Sequence, residues 1–513
     1  MDKADIKHFS ISAISSYLMT AVQLISGVVI GWMLLRFLTK EEYGTYSFIF
    51  SLSTMMVYLT SFGLAPVFSR YIPEFIEKKR RDSLKKLLFW GITIRLSAVS
   101  IVLLFGFIFR GVFIRFFFCP PLFADSILAI ISLLFLLKAE EIVGPAILGP
   151  FLEQAKLAAV QVLQTIGRVS IILLAFFYFK SGFHGIIIGY IFLEIAIILI
   201  YSLTLYQTTR KTFKKIGHSE EEPFPVRRVC RFGIFSFFLA ISGVFRDIAV
   251  DNMVIAHFLG MTGVATYSFA YTLSSFMAMA NPVQMLKTQI DFWIVRKYVS
   301  GKDLDIFKRQ FRFTSSLSLA TLIPAICFVI VYRNHIIAFF NRSYSGVGLL
   351  LILFSFFALG QGLQFSYAFG LGALEKVEYR FYANIFSVYN LVADIIFLKL
   401  WGLPGVVLAT SSASIFTTIF YDYIWRSRLG LRPEYYFRGL SRTLLNSGAA
   451  LGSSYIASIF FTGFSLLVIA GILFTVVYCA MNLRLTPIHK EDMPLLERFV
   501  PEKFRFILTY CHY

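Results

Sequence analysis

Acidic residues, cysteines and polar stretches are all scarce in this chain of 513 residues, and each scarcity closes off a class of function. Only 15% of residues are charged, against roughly a quarter in ordinary soluble domains, so a water-facing globular protein is excluded. Five cysteines are scattered, with Cys230, Cys327 and Cys479 in or beside apolar runs, Cys119 in a connection and Cys511 near the end. That scatter gives no disulfide framework and no metal-ligand spacing. No Gly-x4-Gly-Lys-Ser/Thr loop occurs, so the chain carries no phosphate cradle of the kind that would power it with ATP. The seven histidines, at 8, 184, 218, 257, 335, 489 and 512, share no helical register. Without long polar loops or an acid, base and nucleophile set, no catalytic constellation forms, and an enzyme is not expected.

What fills the chain is apolar sequence, 58% of it hydrophobic and 17% aromatic. Fourteen runs, at 9–35, 44–65, 87–109, 122–146, 155–178, 183–206, 231–257, 262–286, 311–332, 344–369, 381–399, 403–425, 441–461 and 463–482, are long enough to cross a bilayer, since about 20 helical residues span the hydrocarbon core. Lys and Arg concentrate in the connections after even-numbered runs. By the positive-inside rule those connections and both termini are expected in the cytoplasm, which predicts a multi-pass protein of the inner, cytoplasmic membrane. The net charge of +19 sits in short loops beside the spans, where anionic lipid headgroups are the expected neighbours rather than nucleic acid. Met1 to His8 is short and mixed in charge, and the first run is too long for a signal-peptide core, so it is expected to be retained.

The chain also repeats. Phe37-Leu38-Thr39-Lys40-Glu41-Glu42-Tyr43-Gly44-Thr45-Tyr46-Ser47-Phe48 aligns with Phe258-Leu259-Gly260-Met261-Thr262-Gly263-Val264-Ala265-Thr266-Tyr267-Ser268-Phe269, an offset of 221 residues, with eight identities in the 17 positions to Ser53 and Ser274. Because the match falls at corresponding points of the topology, it reads as a duplication of a six-helix unit in parallel orientation. The expected organisation is an N-lobe (1–206), a polar cytoplasmic linker (207–230), a C-lobe (231–427), two further helices (428–482) and a cytoplasmic tail (483–513) that includes a mixed apolar and basic segment from Pro494 to Leu508.

Ionisable residues inside spans cost roughly 2.5 to 3.5 kcal/mol each at a helix centre, so each needs a cavity or a partner. The cations are Arg95, Lys138, Arg168 and Arg246. Arg168 shares a helix face with Gln161 and Gln164, and lies roughly 20 Å from the cytoplasmic end of its span. Arg95 lies about 12 Å deep, shallow enough to snorkel or to face a cavity. Lys138 precedes Glu141 by three residues, the spacing of an internal ion pair, and Glu194 is the competing partner for Arg168. Guanidinium groups in a cavity suit phosphate, whose oxygens accept two parallel hydrogen bonds. Ser12, Ser16, Thr20 and Gln23 form a polar stripe on the first span, and Thr410, Ser414 and Thr417 another on the twelfth. A second cluster is acidic: Asp247 and Asp251 one turn apart, Asn390 and Asp394 one turn apart, and Thr410 early in its span. An oxygen-only set suits a hard cation such as Na+, or a proton on one carboxylate; a hydrogen-bonded structural network is the alternative.

The run Arg36-Phe37-Leu38-Thr39-Lys40-Glu41-Glu42-Tyr43-Gly44-Thr45-Tyr46-Ser47, then Phe62-Gly63-Leu64 and Ser69-Arg70-Tyr71-Ile72-Pro73-Glu74, resembles the N-terminal signature of polysaccharide transporters, the O-antigen-type flippases of the multidrug/oligosaccharidyl-lipid/polysaccharide (MOP) exporter superfamily. Length and topology fit over essentially the whole chain. The resemblance implies an all-α fold like that of multidrug exporters, with fourteen transmembrane helices in two six-helix lobes plus two, and alternating access that carries an isoprenoid-pyrophosphate-linked oligosaccharide to the outer leaflet. It implies a monomer working beside glycan-assembly proteins, with Arg168, Arg246, Arg95, Gln161 and Gln164 on the substrate and the lipid tail in the membrane, along a groove beside spans 13 and 14. In the related peptidoglycan-precursor flippases a sodium ion is held by an aspartate on span 7, an asparagine and aspartate on span 11 and a threonine on span 12. Asp251, Asn390, Asp394 and Thr410 match that set, with the Val406 carbonyl as a fifth ligand and Asp247 able to replace Asp251. No other cofactor is implied. Those relatives carry arginines on spans 1 and 2 that this chain lacks, which separates their substrate from this one. The other readings are a cation-coupled drug or metabolite antiporter of the same fold, and a membrane-embedded sugar polymerase or glycosyltransferase.

Overall fold

The computed structural model describes residues 22, 24–151, 154–216, 223–287, 290, 294, 304–374, 376, 378–493 and 495. Met1 to His8, the stripe of Ser12, Ser16, Thr20 and Gln23, the acidic part of the linker, Pro494 and residues 496–513 of the tail lie outside them. Among the described residues the fold is all-helical, 89% helix without strands. Within lipid the backbone N–H and C=O groups must be satisfied internally, and a helix does so within its own segment. Among the same residues ten helices are long and apolar enough to cross a membrane, or eleven if the bent pair Lys40–Thr60 and Leu64–Glu77, which meet at 59°, is one span. The chain is a multi-pass membrane protein. Its surface agrees: Ile101, Leu104, Phe105 and Ile108 are all more than half exposed on one helix, as lipid-facing residues must be.

The chain divides into two compact units, Met1–Ser268 and Phe269–Tyr513. In the first, Thr39 caps the Lys40–Thr60 helix through a capping box, its hydroxyl accepting from the Glu42 N–H while the Glu42 carboxylate accepts from the Thr39 N–H. The amphipathic Leu64–Glu77 helix follows, and buries Val67, Phe68, Tyr71, Ile72 and Phe75 against Leu84, Leu87 and Leu88 of the Arg81–Ile108 helix. The expected span at 122–146 is the Ile127–Glu141 helix continued by a π-helical stretch, Ile142–Leu148, that contains Pro145. Pro145 has no N–H to donate, and a locally widened helix absorbs that loss. Gln154–Leu173 and Gly182–Ile216 then pack against each other, the latter running ten residues past its expected end at 206.

The stretch expected as one span at 231–257 is broken. Val226–Ser242 ends at Gly243, a 3-10 turn covers Val244–Arg246, and Asp247 adopts an extended conformation before the helix resumes at Ile248. A second break falls at Gly260, whose φ of 68° is one that L side chains rarely adopt. Gly260 is the repeat counterpart of Thr39, so both copies begin their second helix at a non-helical residue.

In the second unit Asp305–Phe340 packs against Gly348–Ala373 and Phe437–Phe460. Trp425 is fully buried beside Phe311 and Tyr367. Arg312, buried near the start of its helix, is held by Asp492, Glu434 and Glu491 at 2.7 to 2.8 Å, which fastens the described end of the tail to this unit.

Candidate functional site

Each unit buries a polar constellation that includes residues singled out by the sequence. In the first unit the Gln154–Leu173 and Gly182–Ile216 helices approach closely at Gly167, where an added Cβ would lie 2.5 Å from Leu193 Cδ1. Beside that contact Arg168 Nη2 donates to Glu194 Oε1 at 2.8 Å, and Gln164 Nε2 donates to Glu194 Oε2 at 2.9 Å. The Glu194 side chain is completely buried, whereas Arg168 keeps 26% of its side chain exposed. The Arg168 guanidinium lies 5.8 Å from the Tyr190 ring centroid, and Tyr190 in turn meets Tyr46 edge to face at 6.4 Å. Arg168 Nε and Gln161 Oε1 are buried without a hydrogen-bond partner among the described residues, an expensive state that a polar ligand or water relieves. Glu194 thus fixes one edge of the guanidinium and leaves another donor unspent.

Arg95 is separate from this cluster in its bonding. Its Nη2 stands 3.6 Å from Glu141 Oε2, which also accepts from Lys138 Nζ at 2.8 Å, and its Nη1 reaches the Val57 carbonyl at 3.4 Å. Arg246 is half-buried in the 3-10 turn before Asp247. Asp247 Oδ1 accepts from the Ala249 N–H at 2.9 Å, capping the helix that starts at Ile248, and its Oδ2 accepts from the Tyr58 hydroxyl at 2.9 Å. Asp251, only 1% exposed, accepts a 2.5 Å hydrogen bond from Tyr267. Its neighbour Asn252 donates to Ser51 at 2.8 Å and accepts from Ser268 at 3.2 Å.

In the second unit the Ile385–Trp401 and Leu403–Ser427 helices are joined through Gly402 alone and pack along their length. Asn390, Asp394 and Val406 are 0% exposed and Thr410 2%. Asn390 Nδ2 donates to Asp394 Oδ2 at 3.0 Å, and the Thr410 hydroxyl donates to the Val406 carbonyl at 3.1 Å. With its N–H turned to Asp394, Asn390 keeps its amide oxygen as an acceptor. One carboxylate with neutral oxygens fits a monovalent hard cation better than a transition metal. No group of three or more His, Cys, Asp and Glu side chains that could hold a metal occurs among the described residues.

Sequence reasoning missed Tyr46, Tyr190 and Tyr267. The signal was present in the repeat itself: Tyr46 and Tyr267 are the same position of the Thr-Tyr-Ser-Phe match, and each reaches an ionisable cluster.

A helical, multi-pass fold with buried charged clusters is the architecture of this chain, and solved structures share it. The chain is similar to the inward closed conformation of the lipid II flippase MurJ (16% identity, 92% of this chain and 98% of that one, TM-score 0.71). It is also similar to an inward-facing multidrug resistance MATE family transporter of the MOP superfamily (13% identity, 82% of this chain and 98% of that one, TM-score 0.65). A third similar structure is a MOP superfamily transporter from Pyrococcus furiosus (14% identity, 82% of this chain and 94% of that one, TM-score 0.52). These likenesses establish the MOP fold. No curated protein sequence matches. Residues 11–282, more than half of the chain, match the family described as "Polysaccharide biosynthesis protein", and the chain belongs to that family.

Proposed function

We propose that the protein is a flippase for isoprenoid-pyrophosphate-linked oligosaccharides, moving them from the inner to the outer leaflet of the cytoplasmic membrane by alternating access for cell-surface polysaccharide assembly. The observation that carries this reading is the Arg168 site, where a fully buried carboxylate orients the guanidinium, the arginine side chain stays 26% exposed and its buried Nε has no partner among the described residues. Such a group binds a phosphate or an acidic sugar through its remaining donors without having to be reoriented. Gln161 and Gln164 supply neighbouring polar contacts, and Arg246 and Arg95 add positive charge elsewhere in the same unit. Membership of the polysaccharide biosynthesis family supports a glycan cargo, and the fold supports transport rather than catalysis.

Coupling to Na+ or H+ is assigned to the second unit, where Asp394, the Asn390 amide oxygen, the Thr410 hydroxyl and the Val406 carbonyl offer oxygen ligands. Asp251, with Asp247 as the other candidate, offers a carboxylate in the first unit. Binding of purified protein to a fluorescent polyprenyl-pyrophosphate oligosaccharide tests the cargo. Wild type is expected to bind, and Arg168→Ala to bind at least about tenfold more weakly, the loss of a charge-assisted hydrogen bond. Binding of small organic cations instead, unaffected by Arg168→Ala, would favour a drug antiporter.

A further inference from the structure

Away from Arg168, the first unit contains a cavity of about 670 Å³, well within the 300 to 1,000 Å³ range of small-molecule sites. Two facing stripes build it. Lys86, Trp90 and Ile94 recur every fourth residue along the Arg81–Ile108 helix, and Val226, Cys230 and Ile234 do the same along Val226–Ser242. Val67 of the Leu64–Glu77 helix closes the back. From Lys86 to Ile94 the slot is about 12 Å long. Its lining is apolar except for Lys86 and the Cys230 thiol. Trp90, Ile94 and Ile234 are 56%, 44% and 55% exposed, so the slot opens on the outer, lipid-facing surface of the helices.

Charge is confined to one end. Lys86 and Arg227, which follows Val226, are both exposed and make no ion pair among the described residues. Three cations near that end are engaged: Lys85 with Asp82, Arg228 with Glu74, Arg81 over the Phe213 ring. An apolar slot with unspent cations at one end complements an amphiphile with an apolar chain and an anionic head, as the carrier lipid of the proposed cargo is.

We propose that this slot between the Arg81–Ile108 and Val226–Ser242 helices binds the phosphate-proximal part of a polyprenyl chain, with Lys86 beside the phosphate. It is a carrier-lipid site distinct from the Arg168 cluster and from the groove expected beside spans 13 and 14. The inference rests on the lipid-linked reading of the cargo, which it deepens by giving the lipid its own contact.

Cys230 makes the test direct. With Cys119, Cys327, Cys479 and Cys511 replaced by alanine, the full chain in neutral-phospholipid nanodiscs is treated with a maleimide while sugar-free polyprenyl monophosphate is added. Modification of Cys230 is expected to slow several-fold, and an anionic phospholipid at equal charge is expected to leave it unchanged. Lys86→Gln should weaken the protection about fivefold, the contribution of one lysine near an anionic headgroup. Ile94→Trp should fill the slot and abolish protection, while Ile101→Trp, on the same helix but 67% exposed and outside the slot, should not. Absence of protection by polyprenyl phosphate, or equal protection by phospholipid, overturns the proposal. Protection without transport of any lipid-linked glycan would keep the slot and remove the flippase reading; transport by the Cys230 protein with no protection would do the reverse.

Discussion

The two buried clusters use opposite chemistry. In the first unit a cation is held against a buried carboxylate and remains 26% exposed; in the second, Asn390 with Asp394 and Thr410 with Val406 form two hydrogen-bonded pairs closed to solvent. A paired but open guanidinium can exchange or add anionic partners, whereas a sealed group of oxygens has its lone pairs turned toward one another or toward a small cation. On the proposed function the first cluster would take the large anionic cargo and the second a small ion, and substitutions can probe each side of that contrast.

The largest effect is expected at the ion pair. Arg168→Ala leaves Glu194 charged and buried, and should cost about 3 to 5 kcal/mol as well as binding of the glycan lipid. Pairing it with Glu194→Gln should restore much of the stability, read by thermal unfolding in detergent, without restoring binding. If binding also returned, Arg168 would be a structural partner only. Next comes Asp394→Ala, which removes the acceptor of the Asn390 hydrogen bond. Its stability cost should be about 1 to 3 kcal/mol, and any dependence of transport on a sodium or proton gradient should vanish; an unchanged ion response would strip the second cluster of its assigned role.

Tyr267→Phe should cost about 1 to 3 kcal/mol, because it withdraws a donor from the buried Asp251 carboxylate. Tyr46→Phe, at the equivalent repeat position, should cost less, since Tyr46 faces the neutral Tyr190 rather than a carboxylate. Equal costs would mean that the two repeat tyrosines hold their clusters equally strongly.

The smallest effect is expected at Glu74, which lies beyond the span expected at 44–65 and whose carboxyl is held below its usual range by the hydrogen bond from Lys78, helped by Arg228. Because the folded-state pKa is lowered, this contribution is fully present above the unfolded value and fades as the pH falls through the folded one. Glu74→Gln should therefore lower stability by about 0.2 to 1 kcal/mol at neutral pH, and the difference from wild type should shrink in acid.

Most of the helices were legible because hydrophobic length alone specifies a membrane span. Over 403–425 and 463–482, for example, the observed Leu403–Ser427 and Gly463–Arg484 helices differ from expectation by a few residues. The break at Gly243–Asp247 was not legible, because hydropathy averages over a window and does not register one aspartate that leaves the helix to cap the next. The π-helical stretch had a local signal in Pro145, but a proline in an apolar run does not say whether the helix kinks, widens or ends. At the site, helical spacing grouped Gln161, Gln164 and Arg168 on one face and offered Glu194 as a partner. It could not say how much of Arg168 the pair would leave open, since that depends on how closely Gly167 lets the second helix approach.

The most direct test of the central claim is translocation of a fluorescent polyprenyl-pyrophosphate oligosaccharide in proteoliposomes, with and without a sodium gradient, scored by access of an external quencher. The account predicts protein-dependent movement that is lost in Arg168→Ala and responds to a sodium or proton gradient through Asp394. No movement of any such lipid by a folded, reconstituted protein would contradict it.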